Sequence, residues 1–113
     1  MNDQRPAWYR TLSTRHAGYI TALEQLGEAT RAAGPIEEKT AQLLQLVAAA
    51  AVRSEGAVHS HVRRSLDCGA SPGEIRHALI LATSLIGFPT VSAALRWAED
   101  ILEIQQDFHL VGE

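Results

Sequence analysis

The segment that most constrains the fold is residues 43–51, which is apolar at every position except Gln45 and ends in four consecutive alanines. Leucine and alanine favour helix, and the chain contains no clear strand-type alternation of apolar and polar residues. A helix that is apolar on nearly all sides must be covered on several of them. The segment therefore predicts an all-α domain in which several helices surround this one.

Helical spacing continues along most of the chain and is punctuated by glycine and proline. The clearest helix start is Ser71, with Pro72 at the first helical position and Glu74 three residues after the cap, which is a capping box. Gly69 is expected to be a left-handed cap. We predict a bundle of five to six helices, with approximate bounds 7–33, 37–53, 57–68, 72–86 and 89–108, the last carrying Val91, Leu95, Ala98, Leu102 and Phe108.

Length and composition restrict the class of protein. The 113 residues suffice for one domain, 1–113, and the net charge of −3 without a basic stripe argues against a nucleic-acid partner. No apolar stretch reaches the roughly 20 residues of a membrane span, and no secretory signal precedes the helices, so a cytoplasmic protein is expected. Cys68 is the single cysteine, so no internal disulfide can form, and its expected role is packing.

Polar reactive side chains cluster at the start of the third predicted helix, in residues 54–64. His61 and Arg64 are three apart and share one helix face, whereas His59 and Arg63 are four apart and share another. Because the two histidines are only two residues apart, we predict no metal site. A catalytic serine–histidine pair is disfavoured, because the sequence lacks the strand–turn–helix motif that usually carries a nucleophilic serine. A half-buried structural histidine remains an alternative for His61.

Several segments together resemble the carboxymuconolactone decarboxylase family, and the resemblance covers about residues 35–103. The segments that carry it are Lys39 to Ala51, His61 to Leu66, Gly69 to Ile75, Gly87-Phe88-Pro89 and Ala94-Leu95-Arg96. The resemblance implies an alkylhydroperoxidase D-like helical bundle that forms a homo-oligomer, a trimer or a hexamer. The family's hydroperoxidase branch carries Cys-x-x-Cys followed by histidine, together with a glutamate that relays protons.

Aligned on His61, the two cysteine positions of that branch fall on Ser54 and Ala57, and the relay glutamate falls on Gln42. Serine and alanine cannot form a disulfide, and an amide cannot shuttle protons as a carboxylate does. The resemblance therefore points to the decarboxylase branch, which lacks the dithiol, and makes peroxidase activity by the dithiol mechanism unlikely.

This branch implies a lyase of aromatic-compound degradation, acting without a cofactor on a small carboxylated lactone or a related acid. His61 is the expected proton donor, and Arg63 or Arg64 would bind a carboxylate. Other candidates for the site are Ser60 and Glu55 in catalysis and His59, Gln42 and Ser54 in substrate binding. The alternatives are another activity on the same scaffold, including a hydroperoxidase-like one, or a non-catalytic small-molecule-binding or assembly protein.

Overall fold

The computed structural model describes the backbone of residues 5–112 and the side chains of residues 5–103. Over this part the chain is helical, without a strand, so the predicted all-α class is confirmed. The chain divides into two compact units, Met1–Ile36 and Glu37–Glu113. The predicted contribution of Phe108 to the last helix lies outside the described side chains. Within the described residues, none of the helices combines the length and apolarity that crossing a membrane requires.

The first unit contains two helices, α1 (Ala7–Arg15) and α2 (Ala17–Ala32). The prediction of one continuous helix over residues 7–33 is wrong at His16, whose φ of −134° and ψ of 59° are not helical. The His16 amide closes α1 by donating to Leu12, and its carbonyl accepts the amide of Ile20 in α2. One residue therefore serves both helix ends, and neither glycine nor proline occupies the break.

The side chain of Trp8 in α1 is 66% exposed within the chain. Glu24 of α2 accepts from Tyr9 of α1 at 3.0 Å and pairs at 3.2 Å with Arg5, which precedes α1. Trp97 of α7 packs against the core of the second unit. The two tryptophans thus differ in their environments.

The second unit contains five helices: α3 (Glu38–Ala51), α4 (Glu55–Asp67), α5 (Pro72–Leu81), α6 (Thr83–Ile86) and α7 (Phe88–Gly112). The alanine-rich α3 contacts α4, α5 and α7, as its apolar surface requires. Helix α4 lies against both α3 and α7. The core consists of Leu46, Ala49, Ala50, Val58, Val62, Ala70, Ile75, Leu79, Ala94, Ala98 and Leu102.

The turn between α4 and α5 follows the predicted chemistry. Gly69 has φ +94° and closes α4 in a Schellman arrangement, in which the Ala70 amide donates to the Ser65 carbonyl at 2.9 Å. The predicted capping box of Ser71 and Glu74 is present. The Ser71 amide, followed by the Lys39 ammonium, holds the pKa of Glu74 below its usual value. Because Glu74 is exposed, its ion pair with Lys39 adds little to the free energy of folding. The main effect of these contacts is to fix where α5 begins.

The fourth predicted helix is interrupted at Ala82, which separates α5 from α6. The hydroxyl of Thr83 donates to the Ile80 carbonyl at 2.7 Å. A side-chain donor at this position competes with the amide that would continue the α-helical ladder. The break has no glycine or proline, and Gly87, with φ +89°, ends α6 as the sequence predicts.

Replacing Gly69 by alanine should lower the free energy of unfolding by about 1–2 kcal/mol, because an L side chain is strained at this positive φ. Gly73→Ala is the matched control, since Gly73 is helical and its new Cβ would meet the Ser71 hydroxyl at an ordinary 3.7 Å. Urea unfolding of both variants measures the difference. Equal stabilities of the two variants would contradict the left-handed cap.

Candidate functional site

The site begins at a tight junction between α3 and α4. Arg53 has φ +59°, and the amides of Arg53 and Ser54 donate to the carbonyls of Ala50 and Ala49. This is again a Schellman arrangement, here with arginine at the position that usually carries glycine. The Arg53 guanidinium donates to the Thr90 hydroxyl of α7 at 2.9 Å. The junction therefore joins three helices at the end where the candidate residues lie.

Ser54, a candidate for substrate binding, is the N-cap of α4. Its side-chain oxygen accepts the Ala57 amide at 3.2 Å. These two residues occupy the positions of the cysteine pair in the resemblance described above, and here they share a capping hydrogen bond. The Ser54 hydroxyl thus has a structural role at the start of the helix that carries both histidines.

The central contact of the site joins α3 to α4. Nδ1 of His61 lies 2.9 Å from Oε1 of Gln42, whose side chain is 3% exposed. An amide oxygen only accepts hydrogen bonds, so Nδ1 carries the proton in this contact. The ring is thereby oriented with Nδ1–H toward α3. The resemblance aligned Gln42 with a relay position, and the two side chains are in direct contact.

A second polar group lies between α4 and α7. Nε2 of His59 is 2.9 Å from Oδ2 of Asp100, and Glu55 lies beside them. One ligand atom from each of the three residues lies within 4.8 Å of the others. His59 is half-buried, whereas Glu55 and Asp100 are exposed. This group therefore faces solvent.

The two histidines point to opposite neighbours because α4 is helical between them. Two residues correspond to about 200° of rotation around a helix. His61 consequently meets α3, and His59 meets α7. The single cluster expected from the sequence is thus two separate groups, one at each interface of α4.

The two candidate arginines divide in the same way. Arg64 is exposed and lies three residues after His61, whereas half-buried Arg63 lies four residues after His59. Within the described part of the chain neither forms an ion pair, and half-buried Ser60 makes no side-chain hydrogen bond there. Arg64 is the cation on the His61 side of the helix.

Among the described residues, two buried polar atoms near this region have no hydrogen-bond partner, Oε1 of Gln45 and Oγ of Ser65. Gln45 follows Gln42 by three residues on α3, and Ser65 follows His61 by four residues on α4. Residues at these spacings share a helix face. Each helix of the α3–α4 pair therefore carries an unsatisfied polar atom about one turn from the central contact.

Sequence reasoning missed Asp100, which lies 41 positions from its partner His59. The available signal was the spacing of Glu55 and His59, since residues four apart project from one side of a helix. The prediction of no metal site rested on the two histidines alone, which are only two residues apart. The third member of the group depends on how α7 packs against α4.

The sequence profile of the carboxymuconolactone decarboxylase family matches residues 17–100, more than half of the chain. The fold is similar to the crystal structure of the Thermotoga maritima protein TM1620, with 25% sequence identity, a TM-score of 0.67, and coverage of 87% of this chain and 89% of that one. Among curated proteins no sequence matches. The chain therefore belongs to the carboxymuconolactone decarboxylase family.

Proposed function

We propose that the protein is a non-redox enzyme that decarboxylates a small carboxylated lactone or a related acid, with His61 as the proton donor. The observation that supports this proposal is the hydrogen bond between His61 Nδ1 and the buried Gln42 amide oxygen. It orients an imidazole at a helix interface, and we assign proton exchange to the other ring nitrogen, Nε2. A half-buried histidine held in this way is suited to general acid catalysis.

The proposed step is a decarboxylation followed by protonation of carbon. The bond between the carboxylate carbon and the lactone ring breaks, carbon dioxide leaves, and the electron pair moves onto the conjugated lactone carbonyl. The imidazolium of His61 then gives its Nε2 proton to carbon, and the neutral ring regains that proton from solvent. Throughout the cycle Nδ1–H remains on Gln42, whose uncharged amide accepts this bond in both protonation states of the ring.

The substrate carboxylate requires a cation, and we assign this role to Arg64. Arg64 shares a face of α4 with His61 and has no ion pair within the described residues. A guanidinium can bind a carboxylate in a bidentate manner. Ser60, the residue before His61, is a further candidate donor to the substrate. Glu55, His59 and Arg63 lie on the side of α4 that faces α7, and we leave them out of the step.

Dithiol peroxidase chemistry is disfavoured by the same residues. The Ser54 hydroxyl caps α4, Ala57 has no reactive side chain, and Gln42 is an amide. Cys68, the single cysteine, lies seven residues beyond His61, which is about 10 Å along a helix axis. A disulfide exchange within one chain therefore has no second sulfur.

The activity test uses carboxymuconolactone as the probe and follows carbon dioxide release by the purified chain. We expect turnover by the unmodified protein, and His61→Ala should lower kcat/KM by roughly 10²–10⁴-fold, the usual contribution of a general acid. Arg64→Ala should raise KM more than it lowers kcat, since it removes binding of the substrate carboxylate. His77→Ala is the matched control, because His77 is an exposed histidine on α5.

Absence of turnover in the unmodified protein, or full turnover in His61→Ala, would contradict the proposal. Tight ligand retention that survives His61→Ala without turnover would indicate a binding protein instead. Hydroperoxide reduction that is lost on alkylation of Cys68 would contradict the exclusion of thiol-based peroxidase chemistry.

We further propose that the chain functions as a closed homo-oligomer. The support is a set of apolar side chains around α6, between 51% and 88% exposed: Ile80, Leu81, Leu85 and Phe88. Exposed apolar groups of this kind are typical of protein interfaces, and homo-oligomers are usually closed and symmetric.

Leu85→Glu should convert the oligomer to smaller species, because it would place a charge within a buried apolar contact. Light scattering after size-exclusion chromatography measures the mass, and circular dichroism should show unchanged helix content. Gln25→Glu adds the same charge at an exposed position of α2 and should leave the mass unchanged. A monomeric parent protein, or an unaffected Leu85→Glu oligomer, would refute the proposal.

A further inference from the structure

We propose that Glu55, His59 and Asp100 form a binding site for a divalent first-row transition-metal ion, separate from the His61 site. One ligand atom of each side chain lies within 4.8 Å of the others. Imidazole nitrogen and carboxylate oxygen are both zinc ligands, and three protein ligands leave a coordination position open. This inference is independent of the proposed decarboxylation.

Buried neighbouring residues fix the backbone that carries the three residues, both on α4 and on α7. Val58 and Val62, which flank His59 on α4, are fully buried, and so are Ala98 and Leu102, which flank Asp100 on α7. Glu55 is four residues before His59, so both project from the same side of α4. The tightly packed core thus fixes where the His59 and Asp100 side chains originate.

The distance between two of the proposed ligand atoms suits a bound metal ion. Nε2 of His59 and Oδ2 of Asp100 are 2.9 Å apart in a hydrogen bond that the carboxylate accepts, so metal binding at Nε2 would move its proton to Nδ1 or release it to solvent. Adjacent ligands in an octahedron with metal–ligand bonds of about 2.1 Å are separated by about 3.0 Å, and in a tetrahedron by about 3.4 Å. Glu55 is exposed, so its side chain can rotate to complete the set. The remaining coordination positions would face solvent.

Charge also favours a divalent cation at this place. With a neutral imidazole, the two carboxylates bring two negative charges close together, and their repulsion is reduced by a positive ion between them. The imidazole nitrogen favours zinc, nickel or copper over magnesium and calcium, which prefer oxygen ligands. The proposed ligand is therefore a transition-metal ion and not an alkaline-earth ion.

The test is isothermal titration calorimetry of zinc into the full, untagged chain after removal of metals. We expect one zinc per chain, and His59→Ala, Glu55→Gln and Asp100→Asn should each raise Kd by about 10–100-fold. His77→Ala is the control, an exposed histidine on α5, and should change Kd by less than about two-fold. Magnesium in millimolar excess should not displace the zinc.

Manganese supplies a second readout that does not depend on affinity. As a paramagnetic probe it should broaden amide signals around residues 55–59 and 100 before those elsewhere. The proposal fails if zinc binds His59→Ala as tightly as the parent chain, or if Cys68→Ser or His77→Ala removes the binding. Equal competition by magnesium, or broadening centred elsewhere, would also overturn it.

Discussion

The hydrogen bond between Gln42 and His61 sets the geometry on which the rest of the site depends. Gln42 lies on the helix whose buried face includes Leu46 and Ala50, and a buried amide without a partner would cost about 1–3 kcal/mol. His61 supplies that partner across the α3–α4 interface at 2.9 Å. The same contact that satisfies a polar group in the core also orients the imidazole, so fold stability and ring orientation are linked.

The helical period of α4 determines where the second histidine of the motif lies. Once His61 faces α3, the helical period directs His59 toward α7, where Asp100 is its partner. A single helix thereby presents one histidine to a buried amide and the other to exposed carboxylates. Two neighbouring histidines of one sequence motif consequently have different surroundings. We propose the first for proton transfer and the second for binding a cation.

Local signals in the sequence were sufficient where the deciding interactions were local. The capping box at Ser71 and the left-handed Gly69 follow from residues within a few positions of each other, and both are confirmed. The breaks at His16 and Ala82 were missed because neither has a glycine or proline. The junction at Arg53 was also missed, since arginine adopts the positive φ that usually marks glycine.

The candidate site shows the same limit. The contact of Gln42 with His61 spans two helices and was not predicted: the family resemblance only placed Gln42 at the relay position, and spacing alone cannot pair residues 19 positions apart. The pairing of His59 with Asp100 had no such guide. Periodicity shows which residues share a helix face, but the neighbour that each face meets is set by packing of the whole unit.

The most direct test of the Gln42–His61 geometry is nitrogen-15 NMR of the histidine rings at a pH where they are neutral. His61 should carry its proton on Nδ1, and Gln42→Leu should move the proton population toward Nε2 while exposed His77 stays unchanged. A His61 ring protonated on Nε2 in the parent chain, unaffected by Gln42→Leu, would contradict the contact and the proton transfer derived from it.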